Sequence, residues 1–218
     1  DSYPFVDLPP RNDCRSNHSW ATSFGMFIAN SHLRGKIKNK ILNFTRENDS
    51  MNIQIYPLDK VVFDNVSICF GMEKSAVELA LGAGEAIGNR YYYFNSEMAI
   101  DYRENKVDFI EFLCGVDGKL KPTIYGVSAF DVNAAELVDV LKTNNNGEIC
   151  DDENGYSYSF SNISVGVYRE ALPDEIEEMI EEAKSDGNPM PDDEIQYEMK
   201  RANHWATIGC GNIGYYQR

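Results

Sequence analysis

Histidine, paired cysteine and long apolar runs are all scarce in this 218-residue sequence. Its three histidines lie far apart, and none has a metal-ligand spacing to another histidine or to a cysteine. Walker-type phosphate loops, GxSxG elbows and HExxH helices are absent. Gly209-Cys210-Gly211-Asn212-Ile213-Gly214 resembles a nucleotide-binding fingerprint, but no helix is expected after it, so we discount it. No stretch approaches the ~18 apolar residues that a membrane helix needs. We therefore expect no metal, no cofactor and no membrane span, and we predict that the chain is not an enzyme.

Positive charge is also scarce relative to negative charge. The chain has 20 Lys and Arg against 35 Asp and Glu, a net charge of −15, and hydrophobic residues make up 43% of it. That apolar share is large enough to fill a core, which argues against a disordered chain. A strongly acidic surface repels phosphate backbones, so the composition disfavours nucleic acid and favours a basic protein as partner.

Cysteine usage indicates the redox compartment. The five cysteines are spread through the chain without a CxxC pair, at Cys14, Cys69, Cys114, Cys150 and Cys210. An odd number at wide spacing is typical of reduced thiols in a cytoplasmic protein. We therefore predict a cytoplasmic location. Because the sequence begins at Asp1, removal of a signal peptide stays an open alternative.

A change in charge divides the chain near Met51. Residues 1–50 hold seven basic and five acidic side chains, whereas residues 51–218 hold 13 and 30, a net charge of −17. We predict a basic, mostly helical N-terminal segment over 1–50 and an acidic domain over 51–218. The apolar positions of the N-terminal segment, such as Leu33, Ile37 and Ile41, recur at the spacing of an amphipathic helix.

The acidic domain alternates between short strands and amphipathic helices, which predicts an α+β fold with an antiparallel sheet and helices packed on one face. The order of its elements recurs. Ala76-Val77-Glu78-Leu79 stands 58 residues before Ala134-Ala135-Glu136-Leu137, and Tyr91 and Tyr93 stand 65 before Tyr156 and Tyr158. This favours a duplicated helix-plus-strands unit, with repeats at 61–114 and 122–170. Two helices and a closing hairpin are expected over 173–218.

Several segments of the acidic domain resemble a known class of binding protein. They are the strand Phe-Ile-Glu-Phe (109–112), the helix start Ala-Ala-Glu-Leu-Val (134–138), the strand end Gly-Val-Tyr-Arg-Glu (166–170) and a closing Gly-Tyr-Tyr (214–216). Together with the acidic composition, they resemble immunity proteins encoded beside bacterial polymorphic or contact-dependent toxins. In outline the duplicated unit is similar to β-lactamase inhibitor protein. The resemblance implies a non-catalytic protein that neutralises a basic toxin, such as a nuclease, by covering its active site.

Carboxylates near tyrosines are the residues that we expect at such an interface, since aromatic residues anchor interfaces and charges steer association. A loop and the polar face of a helix supply the candidates: Asp151, Asp152, Glu153, Tyr156, Glu177, Glu178, Glu181 and Glu182. Any one of these side chains by itself is typical of a solvated surface.

An enzyme is the alternative. Residues 13–21, Asp-Cys-Arg-Ser-Asn-His-Ser-Trp-Ala, resemble the nucleophile region of papain-like cysteine proteases, although Ser19 stands where that family has its cysteine. The glycines and glutamine of the family pattern are missing. This alternative requires Cys14 or Ser19 as nucleophile, with His204 as the base.

The charge boundary generates a prediction about truncation. Every element of the predicted duplication follows Met51, so we expect residues 51–218 to stay soluble and to melt cooperatively without the first fifty residues. Thermal melting followed by circular dichroism measures this. Aggregation, or loss of the transition, would mean that the boundary is wrong.

Overall fold

The computed structural model describes residues 51–64, 66–151 and 153–217. The predicted N-terminal segment, with Cys14 and Ser19 of the alternative nucleophile region, lies outside the described residues, as does Asp152.

Twelve strands and four α-helices make up the described part of the chain. The helices are α1 Lys74–Leu81, α2 Ala134–Asn145, α3 Pro173–Ser185 and α4 Asp192–Ala202. The strands are β1 Ile53–Tyr56, β2 Lys60–Phe63, β3 Val66–Cys69, β4 Glu85–Ile87, β5 Arg90–Tyr93, β6 Met98–Arg103, β7 Lys106–Phe112, β8 Pro122–Ile124, β9 Val127–Ser128, β10 Ser157–Phe160, β11 Val165–Tyr168 and β12 Thr207–Gly211.

The α+β prediction is confirmed, but the strands form two sheets instead of one. The first sheet has the order β3-β2-β1-β8-β9 and the second has the order β10-β11-β12-β7-β6-β5-β4. All neighbouring strands are antiparallel except β1 and β8, which pair in parallel. The sequence pattern could not reveal this division, because the β1–β8 pair joins residues about 70 positions apart (Ile53 with Pro122).

One hydrophobic core joins both sheets to α1 and α2. Phe63 of the five-stranded sheet lies 6.1 Å from Phe112 of the seven-stranded sheet, measured between ring centroids. The amphipathic spacing of α2 brings Leu137 and Leu141 into this core, where both are fully buried. Trp205, just before β12, fixes the start of α2 through a 2.9 Å hydrogen bond from Nε1 to the Ala134 carbonyl.

The backbone contains the same arrangement twice. A hairpin with a two-residue loop (β2–β3 or β8–β9) precedes a helix, and a hairpin with a four-residue loop (β5–β6 or β10–β11) follows it. A third strand, β7 or β12, then pairs with the second strand of that hairpin. The two halves meet where β7 pairs antiparallel with β12.

A pair of matching hydrogen bonds supports this correspondence. The Lys74 amide at the start of α1 donates to the Asn105 carbonyl at 2.9 Å, and the Ala134 amide at the start of α2 donates to the Asn203 carbonyl at 2.8 Å. Ladder register makes Ile208 equivalent to Ile110, an offset of 98 residues, and Asn203 stands 98 after Asn105. Both halves therefore hold the helix against the third strand in the same way.

Two details of the predicted repeat need correction. Hairpin register matches Tyr91 with Tyr158 and Tyr93 with Phe160, two residues later than the sequence alignment placed them. The equivalent helix starts, Lys74 and Ala134, are 60 residues apart, so the alignment of the helices also shifts by two residues. The second unit also extends past residue 170, since its third strand is β12.

The predicted closing hairpin is wrong as well. After β12 the chain forms a 3-10 turn over Tyr215–Gln217, with Gly214 at a φ of +75°. The Tyr215 ring stacks on Phe109 at 4.4 Å between centroids and 6° between planes. The residues after β12 therefore pack the Tyr215 ring on the sheet, where the prediction had the second strand of a hairpin.

Two leucines test the location of the core. Leu137 in α2 is fully buried, whereas Leu79 in α1 is 90% exposed. We expect Leu137→Ala to lower the free energy of unfolding by about 2–5 kcal/mol, because it removes buried methyl groups and leaves a cavity. Leu79→Ala is the matched control and should change it by less than about 0.5 kcal/mol. Urea denaturation measures both, and equal effects would contradict the assigned core.

Candidate functional site

The two halves differ most in the length of the connections at one end of the sheet, before the start of β10 and after the end of β11. Glu104 and Asn105 alone connect β6 to β7, whereas 38 residues, 169–206, connect β11 to β12 and include both α3 and α4. Gly88 and Asn89 connect β4 to β5. In the second half, Cys150 takes the place of β4 by forming an isolated antiparallel bridge with Ser159 of β10, and residues 151–156 lie between Cys150 and β10. Because Ser157 pairs with Tyr168, both longer segments lie at the same end of the sheet.

These two segments carry most of the net charge. Residues 169–206 contain 12 Asp and Glu and four Lys and Arg, a net charge of −8, and residues 151–156 contribute −3. Together they account for −11 of the chain's −15. The corresponding turns of the first half hold one charged residue, Glu104. We call the segments 151–156 and 169–206 the acidic insertions.

Local sequence explains why the longer insertion is helical. Pro173 occupies the first position of α3, where a missing amide donor costs nothing, and Glu175 accepts a hydrogen bond from the Leu172 amide at 2.9 Å. In α4 the first turn is acidic and the last contains Lys200 and Arg201. These charges complement the helix dipole, so the carboxylates favour the helices that display them.

Both helices are largely open to solvent. Ile176 is the buried residue of α3 and Ala202 that of α4. The predicted interface residues on α3 all lie on its exposed surface: Glu177, Glu178, Glu181 and Glu182. Met179 and Tyr197 are also exposed, at 40% and 45%, so apolar contact area lies among the carboxylates.

Side chains of α4 attach the helical pair to a 3-10 turn at Gly115–Asp117. The Tyr197 hydroxyl donates to Asp117 Oδ2 at 3.0 Å, and Arg201 Nε lies 3.5 Å from the same oxygen. Arg201 also pairs with Glu170. The insertion is therefore held at its base while most of the surface of α3 stays accessible.

The two acidic insertions touch each other through Tyr156. Its hydroxyl donates to Glu175 at the start of α3, and this bond raises the pKa of Tyr156 to about 12 and lowers the pKa of Glu175. Asp151 accepts the Gly155 amide at 2.8 Å, which shapes the loop. Asp151 is exposed and Glu153 is half-buried. The structure thus joins one predicted loop residue, Tyr156, to the start of α3 through Glu175, which was not among the predicted residues.

Arg169 joins the insertions and was missed by sequence reasoning. Its Nε donates to the Gly155 carbonyl at 2.9 Å, and its Nη1 donates to the Ala202 carbonyl at 3.2 Å. The guanidinium also lies over the Trp205 ring, 5.2 Å from the centroid. Burial lowers the pKa of Arg169. No sequence signal distinguishes this arginine, because all of these contacts are with distant segments.

A second polar cluster lies on the face of the seven-stranded sheet opposite the core. Arg90 Nη1 donates to Glu111 at 2.6 Å and Arg90 Nε to Asp101 at 2.9 Å. Burial raises the pKa of Glu111, and the charge and hydrogen bonds of Arg90 oppose that rise. Glu111 is 1% exposed, so this cluster neutralises a buried carboxylate and does not present one to a ligand.

Features of nucleophilic catalysis are weak in the described part of the chain. His204 Nδ1 lies 2.6 Å from the Lys200 carbonyl, a contact that closes the end of α4. Cys114 is exposed, unlike the buried Cys210, but partial desolvation of its sulfur together with nearby carboxylates raises the pKa of its thiol. Among residues 51–64, 66–151 and 153–217, no group of three His, Cys, Asp or Glu side chains has a geometry suited to a metal ion.

No protein-family model matches this chain, and neither a curated protein nor a solved structure matches it. Within the described part of the chain, every helix is too short or too polar to cross a bilayer.

The contact between the insertions generates a prediction about pH. We expect Tyr156→Phe to raise the pKa of Glu175 toward its ordinary value, because the hydroxyl stabilises the carboxylate. Tyr197→Phe is the matched control, since that hydroxyl donates to Asp117 and should leave Glu175 unchanged. Side-chain carboxyl NMR titration measures the midpoint, and equal Glu175 midpoints in wild type and Tyr156→Phe would contradict the contact.

The same bond makes the stability gap between wild type and Tyr156→Phe depend on pH in a defined way. A depressed Glu175 pKa stabilises the fold above about pH 4, the unfolded value, and this contribution disappears as pH falls through the folded pKa. A raised Tyr156 pKa stabilises the fold below about pH 10, and this contribution disappears as pH rises to about 12. The gap should therefore be widest near neutral pH.

Proposed function

We propose that this chain is a non-catalytic acidic binding protein of the immunity type, which neutralises a basic protein toxin by covering its active site with the acidic insertions. The observation that carries the proposal is that both insertions belong to one half of a duplicated scaffold and meet at one end of its sheet. Added segments on a rigid framework are a common location for binding residues.

Electrostatic attraction is the first part of the proposed mechanism. A net charge of −11 is concentrated in residues 151–156 and 169–206. Fields of this kind accelerate association with an oppositely charged protein by roughly 10- to 1,000-fold and weaken with added salt. Carboxylates also imitate the phosphates that a nuclease cleft attracts, so a nuclease is the toxin class that we favour.

Apolar anchors are the second part. Charged rims alone give little affinity, and complexes depend on a few well-packed residues. Met179 and Tyr197 supply exposed apolar surface on α3 and α4. Tyr156 lies beside the start of α3. We expect these three side chains to contact the toxin while Glu177, Glu178, Glu181 and Glu182 orient it.

A binding experiment with the product of the adjacent gene tests this function. We expect a stoichiometric complex that suppresses the toxic activity of that product and whose association slows as salt rises. Absence of a salt-sensitive complex would rule out the proposed function.

Paired variants test the location of the interface. Glu178→Gln with Glu182→Gln removes two exposed charges one helical turn apart on α3. Glu85→Gln with Glu104→Gln removes two exposed charges from the first half and is the charge-matched control. We expect the α3 variant to slow association about tenfold and flatten its salt dependence, with little change in the control. Stopped-flow measurement at several salt concentrations decides, and equal rates would move the interface away from the insertions.

A further inference from the structure

A groove lies on α2, outside the acidic insertions. It has a volume of about 740 Å³ and is lined by Tyr125, Glu136, Asp139, Val140, Thr143 and Asn144. The five helix residues share one face of α2, because they recur at intervals of three and four. Tyr125 faces them from the tip of the β8–β9 hairpin and is 40% exposed.

The backbone at Tyr125 is unusual for an aromatic residue. Its φ of +50° lies in the left-handed region, where hairpin turns favour Asn, Asp or Gly. The equivalent position in the β2–β3 hairpin holds Asp64, with a φ of +43° and a side chain that accepts the Asn52 amide at 3.1 Å. Phe94 also has a positive φ, but its ring stacks on Phe63. Among the described residues, the Tyr125 ring has no stacking partner.

The chemistry of the groove selects a cation. Thr143 and Asn144 donate to helix carbonyls, both at 2.8 Å, so the Thr143 hydroxyl hydrogen and one Asn144 amide hydrogen are already used. Glu136 and Asp139 are exposed, and neither is in an ion pair with another described residue. Two carboxylates and an aromatic ring that line one groove suit the planar guanidinium of arginine, which donates hydrogen bonds to carboxylates and stacks on aromatic rings.

We propose that the groove between Tyr125 and α2 binds an arginine side chain on an extended segment of a partner protein, stacked on the Tyr125 ring and paired with Glu136 and Asp139. This site is separate from the acidic insertions. It goes beyond the proposed function, because binding there needs an arginine on a partner segment and does not need that partner to be a toxin.

Peptide titration of the full chain tests the site. The probe is acetyl-Ala-Arg-Ala-amide, and the neutral control probe is acetyl-Ala-Gln-Ala-amide. We expect saturable NMR shifts of the amides of Tyr125, Asp139 and Val140 with the arginine peptide alone. Tyr125→Asn, which places a favoured turn residue at the same φ, should weaken binding about two- to fivefold, whereas Tyr125→Phe keeps the ring and the affinity.

Two further variants separate this site from the acidic insertions. Glu136→Gln with Asp139→Asn should weaken binding at least about threefold, whereas Glu178→Gln with Glu182→Gln should leave the shifts at Tyr125 unchanged. Shifts confined to α3 and α4 would overturn the proposal and would place the arginine on the acidic insertions instead. An affinity that Tyr125→Asn leaves unaltered would overturn it as well. An absence of saturable shifts would also overturn it.

Discussion

The pairing of β7 with β12 is the constraint on which the rest of the structure depends. It turns two separate strand sets into one seven-stranded sheet, and one of its two central pairs joins Glu111 to Gly209. Neither residue is freely replaceable. A Cβ on Gly209 would stand 2.2 Å from the Phe109 ring, and Glu111 without Arg90 would be a buried carboxylate without its positively charged partner. The junction between the halves therefore tolerates few substitutions, whereas the connections at the ends of the strands differ in length and charge between the halves.

The two halves differ in the segments on which the proposed function depends. The first half closes its strands with two-residue turns and carries little charge there, whereas the second half carries two acidic segments joined by Tyr156, Glu175 and Arg169. The first half forms the same arrangement without such additions, so the scaffold itself does not require them. Their helices contribute one buried residue each, which is too little to explain them as core elements.

Local patterns predicted much of the fold. The alternation of strand-like and amphipathic patterns predicted a strand at 109–112, a helix starting at 134 and two helices after residue 173, and the structure has β7, α2, α3 and α4 there. The exposed carboxylates of α3 were predicted for the same reason. What escaped prediction depends on distant partners or on local exceptions: the parallel β1–β8 pair, the contacts of Arg169, and the hairpin turn at Tyr125, where an aromatic residue occupies a position that favours asparagine or glycine.

The length of the connection between β11 and β12 has a consequence for folding kinetics. Strands β4 to β7 follow one another through short turns, so their contacts form between near neighbours in the chain. Strand β12 can join the sheet only when the 38-residue segment before it has closed. Lengthening a flexible connection from two residues to that length adds about 2–3 kcal/mol of closure free energy. Formation of the α3–α4 pair reduces this barrier by bringing the ends of the segment together. The segment that displays the acidic surface would then also set the rate at which the last strand enters the sheet.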